Sequence, residues 1–444
     1  MAKSNSVFIC QQCSYQSPRW FGKCPECGSW NSAVETIVST AQRTKAKAQS
    51  KKANNPISLA SIPAKSTTRI STRISELDRV LGGGLVYGQV ILIAGEPGIG
   101  KSTLLLQLAD KIGSVLYVSG EESVSQIKVR ADRLGIKNKD IKLIEDTDID
   151  SILNTTYSLQ KDSLKGIVID SIQTMYTSDL SGMAGSVGQV RECAFRLVRY
   201  AKESNIPIFI VGHVTKQGSV AGPSVLMHIV DTVLWFEGDK SLILRLLRAV
   251  KNRFGPTDEV GVFSMEDKGL IPLSDPEKMF ITSNKDSITG AVSGNVVTCI
   301  LEGTRPLLVE VQALVVPTKM PYPKRVAQGI DSKRFEILLA ILQRRANLPL
   351  WEYDCFINIA GGISIKNDPS ADLAVCFAIA SAFYDKAISV KCLALGEVGL
   401  LGDIRNVTSQ DKRIKEARRL GYTDTVTSKE VRYLSEAIRK YLSK

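Results

Sequence analysis

One short segment limits the possible folds of this chain more than any other. It reads Gly95-Glu96-Pro97-Gly98-Ile99-Gly100-Lys101-Ser102-Thr103 and fits the phosphate-binding pattern G-x-x-x-x-G-K-[ST]. An apolar run at 90–94 predicts a strand before it, and an apolar-periodic stretch at 104–109 predicts a helix after it. In that setting the glycines let backbone N–H groups surround phosphate oxygens, and the helix N-terminus favours negative charge. The nine residues therefore predict an ATP-binding site, with a plain glycine-rich turn as the rival interpretation.

The sequence around this segment predicts an α/β fold with a mostly parallel sheet. Strand-like runs alternate with helical segments, which is typical of such sheets. The predicted strands are 90–94, 114–119, 142–144, 166–170, 207–211 and 232–236. Near residue 275 the pattern changes to a second mixture, with strands at 296–301, 307–313, 355–359 and 392–396 and helices at 332–345, 370–383 and 410–420. We therefore expect an ATPase domain at 57–275 and a separate domain at 276–444.

The N-terminal segment 1–35 carries two pairs of cysteines. Cys10-x-x-Cys13 and Cys24-x-x-Cys27 have the spacing of a four-thiolate zinc site. So short a segment buries little core, so that metal binding would supply its folding free energy. The rival interpretation is a redox pair, which would need a thioredoxin-like strand and helix that the sequence does not predict. Residues 36–56 have no apolar period and predict a basic linker.

The charge of the chain indicates a polyanionic partner. The net charge is +12, and residues 1–70 hold ten basic residues against Glu26 and Glu35. Such a basic arm indicates either nucleic-acid binding or a solvated linker, and charge alone leaves both open. No apolar run is long enough to cross a bilayer, and the N-terminus lacks the pattern of a signal peptide. Five scattered cysteines indicate reduced thiols, so we expect a cytoplasmic protein without a membrane partner.

Candidate catalytic residues follow the predicted strands. Lys101 is placed to reach the outer phosphates and Ser102 to ligate Mg²⁺, while Asp170 ends a strand and would hold the same ion. Glu121 and Glu122 follow another strand, where a carboxylate can orient or deprotonate the attacking water. The chemistry alone does not choose between them, and a surface acidic pair is the alternative.

Further polar groups are expected at the same sheet edge. His213 follows a strand and could sense the γ-phosphate, or be a hydrogen-bonded structural histidine. The loops 177–188 and 216–224 are rich in glycine and small polar residues, which is typical of mobile loops that line a channel. Single-stranded nucleic acid could pass along them through backbone contacts and Lys216.

The order of these parts resembles the bacterial RadA (Sms) family of DNA repair proteins over essentially the full length. The motifs that carry the resemblance are the four-cysteine knuckle, Leu81-Gly-Gly-Gly-Leu85, the phosphate loop and Lys251-Asn-Arg-Phe-Gly255. The resemblance implies a RecA-type ATPase core and a C-terminal domain like that of Lon protease. It also implies a homohexameric ring that uses ATP, Mg²⁺ and Zn²⁺, moves on single-stranded and branched DNA, and works with the recombinase RecA at recombination intermediates.

The resemblance also implies roles for single residues. It selects Glu121 over Glu122 as the catalytic carboxylate, and it implies that Lys251 and Arg253 reach the nucleotide of the neighbouring subunit. The second loop departs from the family pattern, because Ser224 replaces an arginine and Met227 replaces a glutamate.

The C-terminal domain is expected to lack protease activity. Ser370 lies where the Lon nucleophile would be, but Asp411 takes the place of the Lon lysine and Lys412 is one residue further on. We expect Ser370 to cap the helix 370–383. The domain would instead hold DNA through basic residues, and we expect Lys324 and Arg325 to contact the DNA. The wider basic set comprises Lys319, Lys324, Arg325, Lys333, Arg334, Arg344 and Arg345.

Three other functions compete with a recombination motor. A replicative-type DNA helicase would share the core and the ring but not the Lys251–Gly255 motif. An ATP-regulated serine protease would need a lysine near Ser370. A signalling ATPase of the circadian-clock kind normally carries two cores, and the sequence has one phosphate loop.

Overall fold

The computed structural model describes residues 5–10, 15–38, 68–159, 164–213, 223–238, 243–273, 275, 292–362, 365, 368–389 and 391–442. The chain divides into two compact units, Met1–Pro272 and Leu273–Lys444. Within the described ranges, no helix combines the length and the apolar character needed to cross a membrane.

The first unit begins with a small antiparallel sheet that carries the cysteines. Its strands are β1 Asn5–Cys10, β2 Gln16–Ser17 and β3 Ala33–Val38, in the order β2-β1-β3. Between β2 and β3 a tight turn is closed by backbone hydrogen bonds from Cys24 to Ser29 and from Gly28 to Cys24. The positive φ of 72° at Gly28 suits glycine, which has no Cβ to oppose that conformation. This sheet and turn bring the two ends of the ribbon together.

A nine-stranded sheet forms the body of the first unit. Its strands are β4 Val90–Gly95, β5 Val115–Ser119, β6 Ile141–Glu145, β7 Gly166–Asp170, β8 Ile208–His213, β9 Thr232–Glu237, β10 Leu244–Asn252, β11 Val260–Glu266 and β12 Gly269–Pro272. Its helices are α1 Ser75–Leu81, α2 Lys101–Ile112, α3 Val124–Arg133, α4 Ile149–Leu159, α5 Val187–Ser204 and α6 Pro223–Met227.

The strand order is β12-β11-β10-β9-β4-β8-β7-β5-β6. The six strands from β9 to β6 in this order are parallel, and β10 to β12 form an antiparallel meander at one edge. The prediction of a mostly parallel α/β sheet is therefore confirmed. In the ATPase domain, the last strand predicted from the sequence ends at residue 236. The sequence analysis therefore missed the meander, apart from the basic residues at the end of β10.

Helices cover both faces of this sheet, which explains why its central strands are apolar throughout. Residues of α1, α2 and α3 pack with Ile91, Ile93 and Phe209 on one face. Residues of α4, α5 and α6 pack with Leu92 and Ile210 on the other face. The carboxyl ends of the parallel strands stay uncovered by these layers, and polar residues follow them.

The second unit is α+β in composition. Its strands are β13 Asn295–Glu302, β14 Arg305–Pro317, β15 Arg325–Gln328, β16 Tyr353–Ile359, β17 Cys392–Ala394, β18 Glu397–Val398, β19 Ile404–Arg405 and β20 Asp424–Val426. Six of them form a mixed sheet in the order β15-β16-β14-β13-β17-β20, while β18 pairs with β19. Its helices are α7 Ser332–Arg345, α8 Asp372–Tyr384, α9 Gln410–Arg419 and α10 Leu434–Leu442. Helix α8 is buried over most of its length, and α9 packs on the sheet through Ala417.

One predicted helix start in this unit was wrong. A 3₁₀ turn at Pro369–Ala371 precedes α8, and the side chain of Asp368 accepts a hydrogen bond from the backbone N–H of Ser370 at 3.1 Å. Asp368 is therefore the cap, and Ser370 lies inside the capped turn. The Ser370 side chain is fully buried and points elsewhere.

Candidate functional site

The phosphate loop joins β4 to α2 at the carboxyl edge of the parallel strands. Gly100 has a φ of 115°, and a Cβ placed on Gly95 would lie 2.5 Å from the carbonyl oxygen of Phe236, so both positions require glycine. Lys101 is 3% exposed, and its Nζ donates to the carbonyl oxygens of Gly95 and Glu96, each at 2.9 Å. Ser102 and Thr103 follow it in the first turn of α2. The loop thus encloses a buried ammonium group at a helix N-terminus.

Asp170 lies beside this loop, at the end of β7. Its carboxylate is nearly buried and accepts a 2.6 Å hydrogen bond from the hydroxyl of Tyr117, whose side chain is fully buried. Burial, and then the charge of Asp170, raise the pKa of Tyr117 well above its usual value. The hydroxyl therefore stays protonated and donates to the carboxylate. The sequence analysis did not identify Tyr117, because the contact depends on strand order.

The structure separates the two adjacent glutamates. The Glu121 carboxylate accepts a hydrogen bond from Ser171 Oγ and lies 3.5 Å from Nε2 of His213. Glu122 forms an ion pair with Arg130 of α3 instead. Of the two glutamates, Glu121 is thus the one that contacts the groups that follow β7 and β8.

His213 ends β8 next to the same groups. Burial, followed by the positive charge of Lys101, lowers its pKa despite the nearby Glu121 and Asp170, so the imidazole is neutral at neutral pH. Its Nδ1 is buried, with no hydrogen-bond partner among the described residues, and the same holds for Oε1 of Gln173. Gln173 Nε2 donates to the His213 carbonyl oxygen at 3.3 Å. The chain continues from His213 into residues 214–222.

Lys251 and Arg253 lie by the amino ends of the parallel strands, whereas the phosphate loop follows their carboxyl ends. Strand β10 runs antiparallel to β9, and Lys251 pairs with Val233 near the start of β9. The phosphate loop follows the far end of β4, which pairs with the end of β9 at Phe236. A strand advances about 3.3 Å per residue, so roughly the length of a strand separates the two sites within one chain.

Both basic side chains are anchored at that edge. Lys251 Nζ donates to the carbonyl oxygens of Met227 at 2.7 Å and Val230 at 2.8 Å. Burial, and then the neighbouring Arg253, lower the pKa of Lys251. Arg253 Nη1 lies 3.3 Å from Oδ1 of the buried Asp231.

Asp231 is a hub that the sequence analysis missed. Its carboxylate also accepts hydrogen bonds from the backbone of Val90 at 3.0 Å and from Lys202 Nζ at 2.6 Å. Lys202 belongs to the last turn of α5, and its Nζ lies 5.5 Å from the ring centroid of Phe254. The edge that carries Lys251 is thus bonded to the C-terminal end of α5.

The loop 177–188 precedes the other end of α5. Gln189, 1% exposed, donates from Nε2 to the carbonyl oxygens of Thr177, Leu180 and Gly182, and its Oε1 accepts from Thr177 N. Beyond these bonds, Met183 is 86% exposed. The base of the loop is therefore tied to α5, and its tip projects outward.

The metal ribbon contacts this loop. Glu35 of β3 accepts hydrogen bonds from Ser181 N at 3.2 Å and Ser181 Oγ at 2.5 Å. Most of the second loop, 216–224, lies outside the described residues. Lys216 lies outside the described residues, Ser224 belongs to α6, and Met227 packs against the core.

The ribbon brings three cysteines together. The Sγ atoms of Cys10, Cys24 and Cys27 lie within 4.8 Å of one another, and those of Cys10 and Cys27 are 3.6 Å apart. Tetrahedral zinc with Zn–S bonds of about 2.3 Å separates its sulfurs by roughly 3.8 Å, so the cluster fits three corners of such a site. Cys13, the predicted fourth ligand, lies outside the described residues.

In the second unit, Ser370 meets a cation that the sequence analysis did not consider. Arg413 is 2% exposed, and its Nη1 donates to Ser370 Oγ at 2.7 Å and to the Cys299 carbonyl oxygen at 2.7 Å. The same guanidinium lies 2.9 Å from Oδ2 of Asp368. Burial alone would raise the pKa of Asp368, but its bonds to Arg413 outweigh burial and hold that pKa below its usual value.

The two residues expected near Ser370 point elsewhere. Asp411 is exposed and lies 3.3 Å from Lys429, while Lys412 donates to the Thr304 carbonyl oxygen. The signal for Arg413 was the period of α9, whose buried residues are Gln410, Arg413 and Ala417.

The basic residues proposed to hold DNA in this unit differ in what they contact. Arg325 donates to the carbonyl oxygens of Tyr353 and Leu350, each at 2.6 Å, and Arg334 forms an ion pair with the buried Asp372. The backbone N–H of Lys324 donates to Asp354 at 2.7 Å, which leaves its ammonium group out of that bond. Arg325 and Arg334 thus have structural contacts of their own.

The fold and site define a class: a metal ribbon followed by a P-loop ATPase domain. Residues 8–35 match a rubredoxin metal binding domain, and residues 58–219 match an AAA domain. The chain is 46% identical to DNA repair protein RadA of Bacillus subtilis (strain 168) over 429 residues, 95% of this chain and 92% of that protein. It is 45% identical over 432 residues to the RadA protein of Streptococcus pyogenes serotype M1, covering 97% and 94% of the two chains. The chain belongs to the RadA family of DNA repair proteins.

Proposed function

We propose that this protein is a DNA-dependent ATPase that works as a ring motor in recombinational DNA repair. It would translocate on single-stranded DNA and promote branch migration at recombination intermediates. The AAA domain and the relatives named as DNA repair proteins support the general activity. The domain ranges 1–35, 36–56, 57–275 and 276–444, a Lon-protease-like fold for the last of them and a cytoplasmic location belong to the same proposal.

The observation that carries the ring is the position of Lys251 and Arg253. They lie by the amino ends of the parallel strands, whereas the phosphate loop follows the carboxyl end of β4, so roughly a strand length separates them from the loop of their own subunit. A head-to-tail contact between copies would bring this edge against the loop of the next subunit, and such contacts close into rings. Lys251 and Arg253 would then exchange their present acceptors for the phosphates and complete the positive charge around them. A homohexamer is the assembly we propose.

Residues at the loop divide the work of hydrolysis. The backbone of Gly95–Thr103 and the Lys101 ammonium would bind the phosphates, with Ser102 and Asp170 placed to hold Mg²⁺. Such an ion neutralises phosphate charge when bound. Glu121 would orient the attacking water, because its carboxylate, unlike that of Glu122, contacts Ser171 and His213 at the ends of β7 and β8. Neutral His213 next to Glu121 would sense the γ-phosphate and connect it to the loop that follows β8.

DNA would contact the same edge of the sheet. The exposed tip of 177–188 and the loop with Lys216 follow strands at the nucleotide side, as expected for loops that line a channel. Zinc held by Cys10, Cys13, Cys24 and Cys27 would keep the ribbon folded where it touches the first loop. The recombinase RecA and branched DNA are the partners that the family resemblance implies.

We also propose that the C-terminal domain holds DNA and is not a protease. A serine hydroxyl needs a nearby base, and Ser370 is bonded to a guanidinium, which does not give up its proton in proteins. A role in DNA binding for Lys324 is compatible with its side chain, whereas Arg325 has two backbone acceptors. An ATP-regulated protease is therefore disfavoured, and the family match disfavours a replicative-type helicase.

The direct test is ATP hydrolysis by the full chain with and without single-stranded DNA. We expect DNA to stimulate turnover and its affinity to fall steeply with salt, because lysines and arginines displace counterions from phosphate. Turnover that ignores DNA, or a flat salt dependence, would contradict a backbone-tracking motor.

A mixing experiment tests the ring. Lys251→Ala should retain nucleotide binding but lose DNA-coupled hydrolysis, and Lys101→Ala should lose hydrolysis outright. If Lys251 acts on a neighbour, mixing the two variants should change the activity per subunit from the average of the two. Strictly additive activities across mixing ratios would contradict the trans role.

A further inference from the structure

We propose that Tyr117 is a positioning residue for the metal-side carboxylate: its hydroxyl fixes the orientation of Asp170 at the nucleotide site. The inference rests on the proposed function, since it takes Asp170 as the residue that holds Mg²⁺ with the nucleotide. Nothing in the chemistry of ATP hydrolysis itself requires a tyrosine here, so the role follows from the contact alone.

Strand register brings the two side chains together. In the parallel pair of β5 and β7, Ser119 lies opposite Asp170 and Tyr117 lies opposite Val168. Residues 117 and 119 share one face of the sheet, as do 168 and 170. The tyrosine ring therefore runs along that face toward the carboxyl edge, and its hydroxyl meets the Asp170 carboxylate at 2.6 Å.

Both partners are held rigidly. The Tyr117 ring is packed in the buried cluster that includes Leu104 of α2 and Ile127 of α3, which restricts the position of its hydroxyl. The Asp170 backbone is fixed as well, because its carbonyl oxygen accepts from Gly120 N at 2.9 Å. What remains adjustable is the rotation of the carboxylate, and a short hydrogen bond to a charged acceptor restricts it.

The hydrogen bond also gives the two carboxylate oxygens of Asp170 different roles. One oxygen of Asp170, Oδ2, accepts from Tyr117. A carboxylate has roughly four lone-pair directions, so the other oxygen remains able to face the metal side of the phosphate loop. Outer partners that orient a ligating group commonly change metal affinity by about 10–100-fold when they are removed.

The test compares two buried tyrosines in the full-length protein. Tyr117→Phe removes the hydroxyl that bonds Asp170, while Tyr200→Phe removes a buried hydroxyl on α5 that has no partner among the described residues. Mn²⁺ affinity would be measured at equilibrium by electron paramagnetic resonance, with a non-hydrolysable ATP analogue bound. Binding of a fluorescent nucleotide without metal provides the second readout, and thermal unfolding checks that both variants fold.

We expect Tyr117→Phe to weaken Mn²⁺ binding by about tenfold and to leave metal-free nucleotide binding within about twofold of the wild type. Tyr200→Phe should change neither quantity. The inference is overturned if Tyr117→Phe keeps wild-type Mn²⁺ affinity, if both readouts fall together, or if Tyr200→Phe gives the same loss. A wild-type protein that binds no Mn²⁺ with the nucleotide would instead contradict the proposed function.

Discussion

The two units of this protein each bury a cation beside the start of a helix, and the two cations are used differently. Lys101 is bonded to the carbonyl oxygens of Gly95 and Glu96, which are neutral groups of its own loop. Arg413 is bonded to the carboxylate of Asp368 and to Ser370. A lysine in a phosphate loop at a helix N-terminus is placed to direct its charge to an incoming phosphate. The guanidinium of Arg413 is instead paired with a carboxylate, and removing one partner of such a pair destabilises the fold. The local setting of each buried cation, a phosphate loop for Lys101 and a carboxylate for Arg413, therefore indicates a binding role for the first and a structural role for the second.

The largest effect expected from breaking this contrast is the loss of catalysis at Lys101. Lys101→Ala should lower ATP turnover by at least about 100-fold, because it removes the charge that stabilises the developing phosphate charge. The fold should persist, which circular dichroism would check alongside turnover. Turnover close to wild type would show that the loop is not the hydrolytic site.

Removing Glu121 should give the next largest effect on turnover. Glu121→Gln should lower hydrolysis by about 100-fold or more while nucleotide stays bound, since the amide cannot accept a proton from water. The matched control is Glu122→Gln, because the Glu122 carboxylate of the wild-type protein is paired with Arg130. Equal losses in the two variants would remove the distinction that the structure draws between these neighbours.

Breaking the ion pair of the second unit should cost stability and leave chemistry alone. Arg413→Met leaves the half-buried Asp368 without its buried partner. The loss of one partner from a fully buried pair costs about 3–5 kcal/mol, which is the upper limit for this partly exposed carboxylate. Calorimetry should show a lower Tm for the C-terminal transition and little change in the ATPase transition. Arg413→Lys keeps the charge and should lose less, so equal losses would point to packing and not to the pair.

The same pair predicts a pH dependence. The pKa of Asp368 is lower in the folded state than in the unfolded chain, so its contribution to stability is full above the unfolded value of about 3.9. That contribution is lost as the pH falls through the lower folded pKa. The difference in unfolding free energy between wild type and Arg413→Met should therefore shrink below about pH 4. A difference that stays constant down to pH 2 would exclude the ion pair as its source.

The smallest effect is expected at Ser370. Ser370→Ala removes one hydrogen bond to Arg413, worth about 1 kcal/mol, and should leave ATPase and DNA binding near wild type. Casein cleavage by the purified protein that disappears in this variant would overturn the non-proteolytic proposal and restore Lys412 as a candidate base.

Local patterns predicted the parts of the molecule that depend on short spacing. The phosphate loop, the parallel strands around it and the pairs of cysteines each occupy a few consecutive residues, so their chemistry is visible along the chain. The predicted helix 332–345 has the same bounds as α7. The edge meander was missed because its strands follow one another without the intervening helices that marked the others.

Contacts across the fold could not be predicted in this way. Tyr117 and Asp170 meet only because β5 and β7 are neighbours, and strand order is a global property. Arg413 replaces the expected Asp411 because the period of α9 turns residue 413 inward. Glu121 and Glu122 are the same residue type at adjacent positions, so their chemistry does not distinguish them. Their partners in the folded protein do, because Glu121 contacts Ser171 and His213 whereas Glu122 pairs with Arg130.

Helix α5 connects two distant parts of the first unit. Its 18 residues form a helix about 27 Å long that packs on one face of the sheet. At one end of the helix, Gln189 donates a hydrogen bond to the loop 177–188. At the other end, Lys202 donates to Asp231 and lies over the ring of Phe254. One helix therefore links the loop 177–188 to the strand ends that carry Lys251 and Arg253, so the two regions share a single rigid element.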